Sequence, residues 1–399
     1  MKSPANSADI RALLAGVGAL ALGMGIGRFA YTAVLPSMQT GTALGTDAAG
    51  LIASANYIGY FLGALAAGQI AKWASRSTVL RLCILVSVVT TGAMTLTTDV
   101  WLWGGLRFIS GLASAGVLVL SAGIVLDRLG SLGGFPASGV LFSGVGLGIA
   151  LSSLVVLLFD PVGGWGGSWL GLAVLSAVLL LPAWLWLRDG PDHASVKANG
   201  AHTPAMAFPL SLLVLAYFCE GTGYVVSGTF LVAIVQALPA MQDYGQLSWI
   251  LVGAAGVPSC LLWAAVAKRI GLVAALIWAH LLQAFGIALP VFAPDPLPVL
   301  AASLLFGGTF MGITTLVVSL AREIAPAERG RVVGLVTAAF GFGQIIGPAA
   351  AGIAAESSGT FDSSLLAAAA IVTLGALLLM LGAVMARHRR NQTVAEAKS

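Results

Sequence analysis

The stretch RDGPDHASVKANGAHTPA, from Arg188 to Ala205, is polar, carries two Gly and two Pro, and is the one long interruption in a chain otherwise built of apolar runs. Such a composition reads as a linker between two domains. Six apolar runs precede it, near 11–38, 48–70, 78–98, 100–126, 136–159 and 169–187, and six follow, near 207–236, 247–267, 272–292, 297–321, 332–354 and 363–386. A helix rising 1.5 Å per residue needs about 20 residues to cross a hydrocarbon core of ~30 Å, and the runs meet that length. The expected fold is all-α integral membrane, with twelve transmembrane helices in two six-helix, pseudo-symmetric bundles. The first bundle is expected over 1–187, the cytoplasmic linker over 188–206, the second bundle over 207–386 and a cytoplasmic tail over 387–399.

Composition points the same way. Of 399 residues, 58% are hydrophobic and only 9% charged, whereas a soluble domain carries about 25% charged residues. That deficit excludes an ordinary cytosolic enzyme, a disordered chain and a nucleic-acid binder, none of which could hold so much apolar surface in water. The formal net charge of +4 needs another explanation, and its distribution supplies one. With both termini on the cytoplasmic side, 17 of the 19 Lys and Arg residues fall in inside segments, two in helices and none outside, while the outside loops hold only Asp47, Asp99, Asp160, Asp243, Asp295, Glu356 and Asp362. Cytoplasmic loops collect basic residues in this way, and a miscounted helix would have mixed the two sets.

The first run exceeds a signal-peptide core of about 7–15 residues, contains Arg28 and lacks an Ala-x-Ala site, so it is expected to remain as helix 1. Cys83, Cys219 and Cys260 all fall inside predicted helices. No Cys/His pair has metal-ligand spacing, so neither a metal nor a cofactor is expected.

The halves resemble each other. Gly25-Ile26-Gly27-Arg28 matches Gly221-Thr222-Gly223-Tyr224, and Ala71-Lys72 matches Ala267-Lys268, both 196 residues on. Val117 to Ser121 resembles Thr315 to Ser319 at an offset of 198, and Gly144-Val145-Gly146 matches Gly341-Phe342-Gly343 at 197. Agreement of the offsets points to a duplication with a cavity where the halves meet. Small residues four apart, Gly59, Gly63 and Ala67 on helix 2 and Gly343, Gly347 and Ala351 on helix 11, suit close helix packing in lipid.

Arg107-Phe108-Ile109-Ser110-Gly111, followed by Ala115, resembles the Arg-x-x-x-Gly-x-x-x-Ala motif of the major facilitator superfamily. Gly25-Ile26-Gly27-Arg28-Phe29-Ala30-Tyr31-Thr32, running on to Leu35-Pro36, is similar to the helix 1 signature of its bacterial YbfB/YjiJ-type branch. The resemblance covers essentially the whole chain. It implies a major facilitator fold with helices 1, 4, 7 and 10 around a central cavity, and a multi-pass monomer in the bacterial inner membrane. Two departures stand out. After helix 2, Gly68 is followed by Lys72, Trp73, Ser75 and Arg76, without the acidic residue of the superfamily's loop motif, and helix 5 lacks the Gly-Pro of the antiporter motif.

Three fully charged side chains lie deep in predicted helices: Arg28, Arg107 and Glu220. Each costs about 2.5–3.5 kcal/mol at a helix centre, so each should face a cavity or another. At 1.5 Å per residue Arg28 lies about 15 Å and Arg107 roughly 10 Å from the outer ends of their helices, with Glu220 roughly 18 Å from the inner end of helix 7. Helical spacing gathers Tyr217, Glu220, Tyr224 and Ser227 into one polar stripe, and Arg107, Ser110, Ser114 and Ser121 into another. Arg28, Tyr31 and Thr32 form a third, and Asn56 and Tyr60 a fourth. Neither arginine has a basic counterpart in the repeat, where Tyr224 and Leu305 stand.

Two arginines and one glutamate sum to +1, which favours an anion, and an arginine fork suits a carboxylate or phosphate. The expected function is secondary active transport of a small organic anion by alternating access, coupled to protons. Arg28, Tyr31, Thr32, Asn56, Tyr60, Arg107 and Tyr224 are the candidate substrate contacts. Glu220 is the candidate proton carrier, with a fixed ion pair to Arg28 or Arg107 as its alternative. His280 could also titrate, but in proteins resembling this superfamily helix 9 lies outside the cavity. The chain lacks a Gly-x-x-x-x-Gly-Lys-Ser/Thr phosphate loop. An enzyme is not expected, because the four histidines are scattered and no second buried acid joins Glu220. A proton-driven efflux antiporter for drug-like or neutral compounds is the nearest alternative, and a membrane sensor or scaffold the non-transporting one.

Overall fold

Backbone N–H and C=O groups within hydrocarbon find no water, so a chain that crosses a membrane satisfies them internally. Accordingly the computed structural model is helical throughout, with no strand among the described residues. Described are 7–70, 74–189, 206–239, 241–326 and 328–396; side chains are described for these except 68–70, 130–136, 329, 390 and 393–396. The predicted linker falls mostly on 190–205, and Lys72 and Trp73 on 71–73, outside the described residues.

Eleven described helices are long and apolar enough to cross a membrane, and one of these, Ala137–Trp186, is 50 residues long. The helical hydrogen bonding runs unbroken from Val100 to Trp186, yet the chain doubles back twice along it. A Cβ on Gly16 would lie 2.8 Å from Val125 and 2.7 Å from Leu141, although sixteen residues of straight helix would span about 24 Å. A Cβ on Gly171 would likewise touch both Phe159 and Val155, with Gly164 between them at φ +59°. Positive φ at this turn suits a residue without a Cβ.

Twelve crossings result among the described residues. They are α1 (Ser7–Gly41), α2 (Thr46–Ile70), α3 (Arg76–Leu96), α4 (Val100–Leu129), α5 (137–163) and α6 (165–186) in the first half. The second half holds α7 (Leu210–Ala237), α8 (Gln242–Ile270), α9 (Leu272–Phe292), α10 (Pro296–Ile324), α11 (Arg329–Ser358) and α12 (Asp362–Glu396).

The internal repeat is visible in the packing. In the first bundle a Cβ on Gly111 would sit 2.0 Å from the Asn56 carbonyl oxygen, and in the second a Cβ on Gly307 would sit 2.2 Å from that of Val252. Asn56 and Val252, like Gly111 and Gly307, are 196 residues apart. The structural offset between α4 and α10 therefore makes Ser303, rather than Leu305, the counterpart of Arg107. The small-residue ladders act within bundles: Gly59 and Gly63 press on Phe108 and Leu112 of α4, and Gly343 and Gly347 on Phe218 and Thr222 of α7.

The bundles meet along a seam sealed most closely in the half away from the termini. There Thr32 Oγ1 on α1 donates to the Gly228 carbonyl on α7 (2.5 Å), and Gln246 Nε2 on α8 donates to that of Ala33 (2.7 Å) while its Oε1 accepts from Ser153 on α5 (2.7 Å). Between α2 and α11, Ser54 Oγ donates to the Ile345 carbonyl (2.8 Å) and the Thr46 N–H to Glu356 (2.7 Å). Glycine makes this approach possible: a Cβ on Gly50 would lie 2.3 Å from the Pro348 oxygen.

Candidate functional site

The site begins with a fault in α1. Its α-helix gives way to a π-helix over Ala21–Ile26, where Gly27 N–H bonds to Leu22 O and Phe29 N–H to Met24 O, before α-helix resumes at Ala30. Such π-bulges leave carbonyls without their usual partners and are frequent at functional sites. Close packing favours the fault here, since a Cβ on Gly25 would lie 2.4 Å from the Gly148 Cα of α5. Arg107 of α4 supplies the missing donors: Nη1 bonds the Gly27 carbonyl (2.9 Å) and Nη2 that of Arg28 (2.6 Å). Ser110 Oγ adds a bond to Gly27 O (2.8 Å), and Ser114 Oγ reaches Met24 Sδ (3.2 Å). Of the polar stripe expected on helix 4, Arg107 and Ser110 are thus turned onto the α1 backbone and Ser114 onto an α1 side chain, with Ser121 bonded to its own Val117 carbonyl.

Arg28 follows this fault, and only 4% of it is exposed. Its guanidinium lies 4.0 Å from the Tyr60 ring centroid, 4.7 Å from that of Tyr57 and 5.2 Å from that of Phe29. These distances are those of cation–π contact. Nε and Nη2 have no hydrogen-bond partner, and among the described residues no carboxylate lies within 4.0 Å of either Arg28 or Arg107. Tyr31 packs under Arg107 at 5.3 Å and donates its hydroxyl to the Ala49 carbonyl (3.2 Å). Asn56 Nδ2 bonds the Arg107 carbonyl (2.8 Å), leaving Oδ1 without a partner. Thr32, one turn beyond Arg28, forms the seam bond to Gly228 already described.

Across the seam the second bundle presents aromatic rings. Tyr224 stacks on Phe340 (5.3 Å between centroids), Phe306 (6.2 Å) and Phe310 (6.3 Å), and Phe310 meets Phe29 edge-on at 6.1 Å. Gln344 Nε2 bonds the Tyr224 hydroxyl.

Glu220 stands apart from the arginines. It is 1% exposed, and its Oε1 accepts from Gln283 Nε2 of α9 (2.6 Å), whose own Oε1 accepts from Thr309 of α10 (2.9 Å). Its Oε2 lies 3.8 Å from His280 Nε2, and both atoms lack hydrogen-bond partners. His280 thus reaches Glu220 from α9, a helix expected to lie outside the cavity.

Residues 20–380 match the model of a protein family described as "Uncharacterised MFS-type transporter YbfB". The chain belongs to the YbfB-type MFS transporter family. A similar curated protein is the "Uncharacterized MFS-type transporter YceJ" of Bacillus subtilis (strain 168), 26% identical over 358 residues that cover 85% of this chain and 88% of that one. Among solved structures, that of nucleoside transporter NupG aligns with a TM-score of 0.71 and 19% identity over 94% of this chain and 99% of its own. A point mutant of NupG aligns with a TM-score of 0.75 and 18% identity over 93% of this chain and 99% of its own. These likenesses establish the MFS fold. The YbfB-type chain is thus a multi-pass membrane transporter of small molecules, and not an enzyme.

Of the residues singled out from sequence, the transporter brings Arg28, Tyr31, Thr32, Asn56, Tyr60 and Arg107 into one layer, sets Tyr224 across the seam, and keeps Glu220 within the second bundle. Sequence reasoning missed Tyr57, Phe29, Phe306, Phe310, Phe340, Gln283, Thr309 and Gln344. Tyr57 adjoins Tyr60 with a spacing of three, which was a usable signal; the phenylalanines were hidden among ordinary apolar positions.

Proposed function

We propose that this transporter moves a small organic anion by alternating access and couples that movement to protons, working as a monomer in the bacterial inner membrane with both termini cytoplasmic. The observation that carries this reading is Arg28. A guanidinium with two nitrogens, Nε and Nη2, lacking hydrogen-bond partners, buried among three aromatic rings and without a carboxylate neighbour among the described residues, is a charge awaiting compensation. An arriving carboxylate or phosphate would supply it through a two-pronged hydrogen bond. Arg107 contributes indirectly by fixing the backbone, with its Nε still unbonded. Tyr60, Tyr31, Thr32, Asn56 and Tyr224 complete the candidate contacts, the last offering a flat apolar face.

Glu220 supports the coupling. It is buried within the second bundle on Gln283 and His280 of α9, so a rearrangement of α9 against α7 during the cycle would change how readily it takes up a proton. The seam supports the conformational cycle: five hydrogen bonds join the bundles in the half away from the termini, which with cytoplasmic termini corresponds to a carrier closed toward the outside.

The test is thermal stabilisation of the purified protein, followed by proteoliposome flux, with lactate, succinate, gluconate and glucose 6-phosphate against uridine and a cationic dye. Stabilisation by one or more anions, and uptake that responds to an imposed pH gradient, are the expected results. Stabilisation by uridine or the dye alone would reject the anion, and flux indifferent to the gradient would reject proton coupling.

A further inference from the structure

His280 is wholly buried, and its ring can be assigned hydrogen by hydrogen. Nδ1 lies 2.9 Å from the Leu276 carbonyl oxygen. A carbonyl only accepts, so Nδ1 carries the hydrogen, and in the neutral ring Nε2 is left with a lone pair. That lone pair faces Glu220 Oε2 at 3.8 Å, and neither atom has another partner.

The rest of the carboxylate is already committed. Gln283 donates to Oε1, which leaves Oε2 as the carboxylate oxygen without a donor. An ionised carboxylate would then set its Oε2 lone pairs against the Nε2 lone pair, with no water-exposed surface to relieve either. A single added hydrogen removes this opposition and lets the two side chains draw together from 3.8 Å into hydrogen-bond range.

We propose that Glu220 and His280 hold one proton between them, as a Glu220 carboxyl O–H donated to His280 Nε2, and that this enclosed pair is the proton-binding site of the transporter. The assignment rests on the proton-coupled reading above and gives it a location separate from Arg28. Binding forms one O–H bond on Oε2 and neutralises the carboxylate; release breaks that bond and leaves the charge of −1. No other bond changes. Among the described residues no arginine forms an ion pair with Glu220 within 4.0 Å. The other titratable groups beside it are Tyr217 and Cys219, both on α7, while α10 brings the neutral Thr309 against Gln283 and α12 brings Gly375 against the His280 ring edge. His280 is a positioning residue in this scheme, acting through the proton it accepts.

Infrared difference spectra of the full-length protein in liposomes at pH 7 test the pair. A carbonyl band of a protonated carboxyl is expected, lost in Glu220→Gln. It should shift in His280→Phe, which removes the acceptor, and return toward its original position in His280→Gln, whose amide oxygen can accept. Absence of a band sensitive to Glu220→Gln would overturn the proposal, as would a band unmoved in His280→Phe.

Nitrogen-15 spectra of histidine-labelled wild type provide a check that needs no variant. They should contain one ring with hydrogen on Nδ1 alone, unaffected by pH in a range where exposed histidines titrate. A hydrogen on Nε2 of that ring would also overturn the proposal. If both sets of spectra come out as expected while flux ignores a pH gradient, the shared proton stands and only the coupled-transport reading falls.

Discussion

Arg107 holds the backbone that carries Arg28, donating from Nη1 to the Gly27 carbonyl at 2.9 Å and from Nη2 to the Arg28 carbonyl at 2.6 Å. Two neighbouring buried arginines therefore have different tasks. One repairs a helix fault, and the other keeps Nε and Nη2 without hydrogen-bond partners.

Replacing Arg107 tests the first task. Arg107→Ala leaves two buried carbonyls short of charged donors, and hydrogen bonds of this kind are worth about 1.5–3 kcal/mol each in proteins. The expected outcome is a clear fall in melting temperature in mild detergent, with Arg107→Lys recovering only part because an ammonium lacks the planar fork. An Arg107→Ala protein as stable as wild type would contradict the repair role.

Arg28 should behave in the opposite way. Removing a buried charge that has no ionic partner relieves a desolvation cost, and hydrophobic replacements at such positions are often neutral or stabilising. Arg28→Leu is therefore expected to melt at or above the wild-type temperature while losing stabilisation by anions. Anion binding retained in Arg28→Leu would remove this residue from the site.

Gly50 controls how closely α2 approaches α11. A Cβ there would stand 2.3 Å from the Pro348 oxygen, so Gly50→Ala should wedge the seam apart in the half away from the termini. A cysteine introduced at Ser54 reports this opening. Its labelling by a membrane-impermeant maleimide should be faster with Gly50→Ala than without it, and equal rates would show that the seam tolerates the methyl group.

Outside the membrane-spanning helices, Asp189 offers a pH test. Partial burial works to raise its pKa, but hydrogen bonds from Ser75 and Ser77 and the nearby Arg76 guanidinium win, holding the carboxyl below the usual carboxylate range. A depressed native value means that the stabilisation is present above the unfolded-state value and disappears as pH falls through the native one. Wild type should thus melt above Asp189→Asn at neutral pH, and the gap should close in acid. A gap independent of pH would assign the effect to packing.

Much of the architecture could be read from the chain because membrane insertion imposes length and charge rules that act locally. Seven acidic residues and no basic ones in alternate loops fixed the crossings, and Gly25 and Arg28 marked the first helix as unusual. The π-helix could not be anticipated, since it depends on how closely Gly25 approaches Gly148 on α5. The surroundings of Glu220 were equally hidden. Gln283 and His280 meet it from α9, with Thr309 of α10 behind Gln283, and helices apolar all round give no periodic signal of which way a lone polar side chain turns. Depth along a helix was legible; rotation about its axis was not.

None of the ion pairs between described residues crosses from one bundle to the other. The seam instead is closed by hydroxyls, an amide and bare glycine backbone, with Glu356 at its rim as the one charged acceptor named there. Mobile ions screen charges over about 8 Å at physiological ionic strength, but they leave dipoles and steric fit largely untouched. A cell could therefore pass from dilute to briny surroundings without resetting the carrier's resting shape.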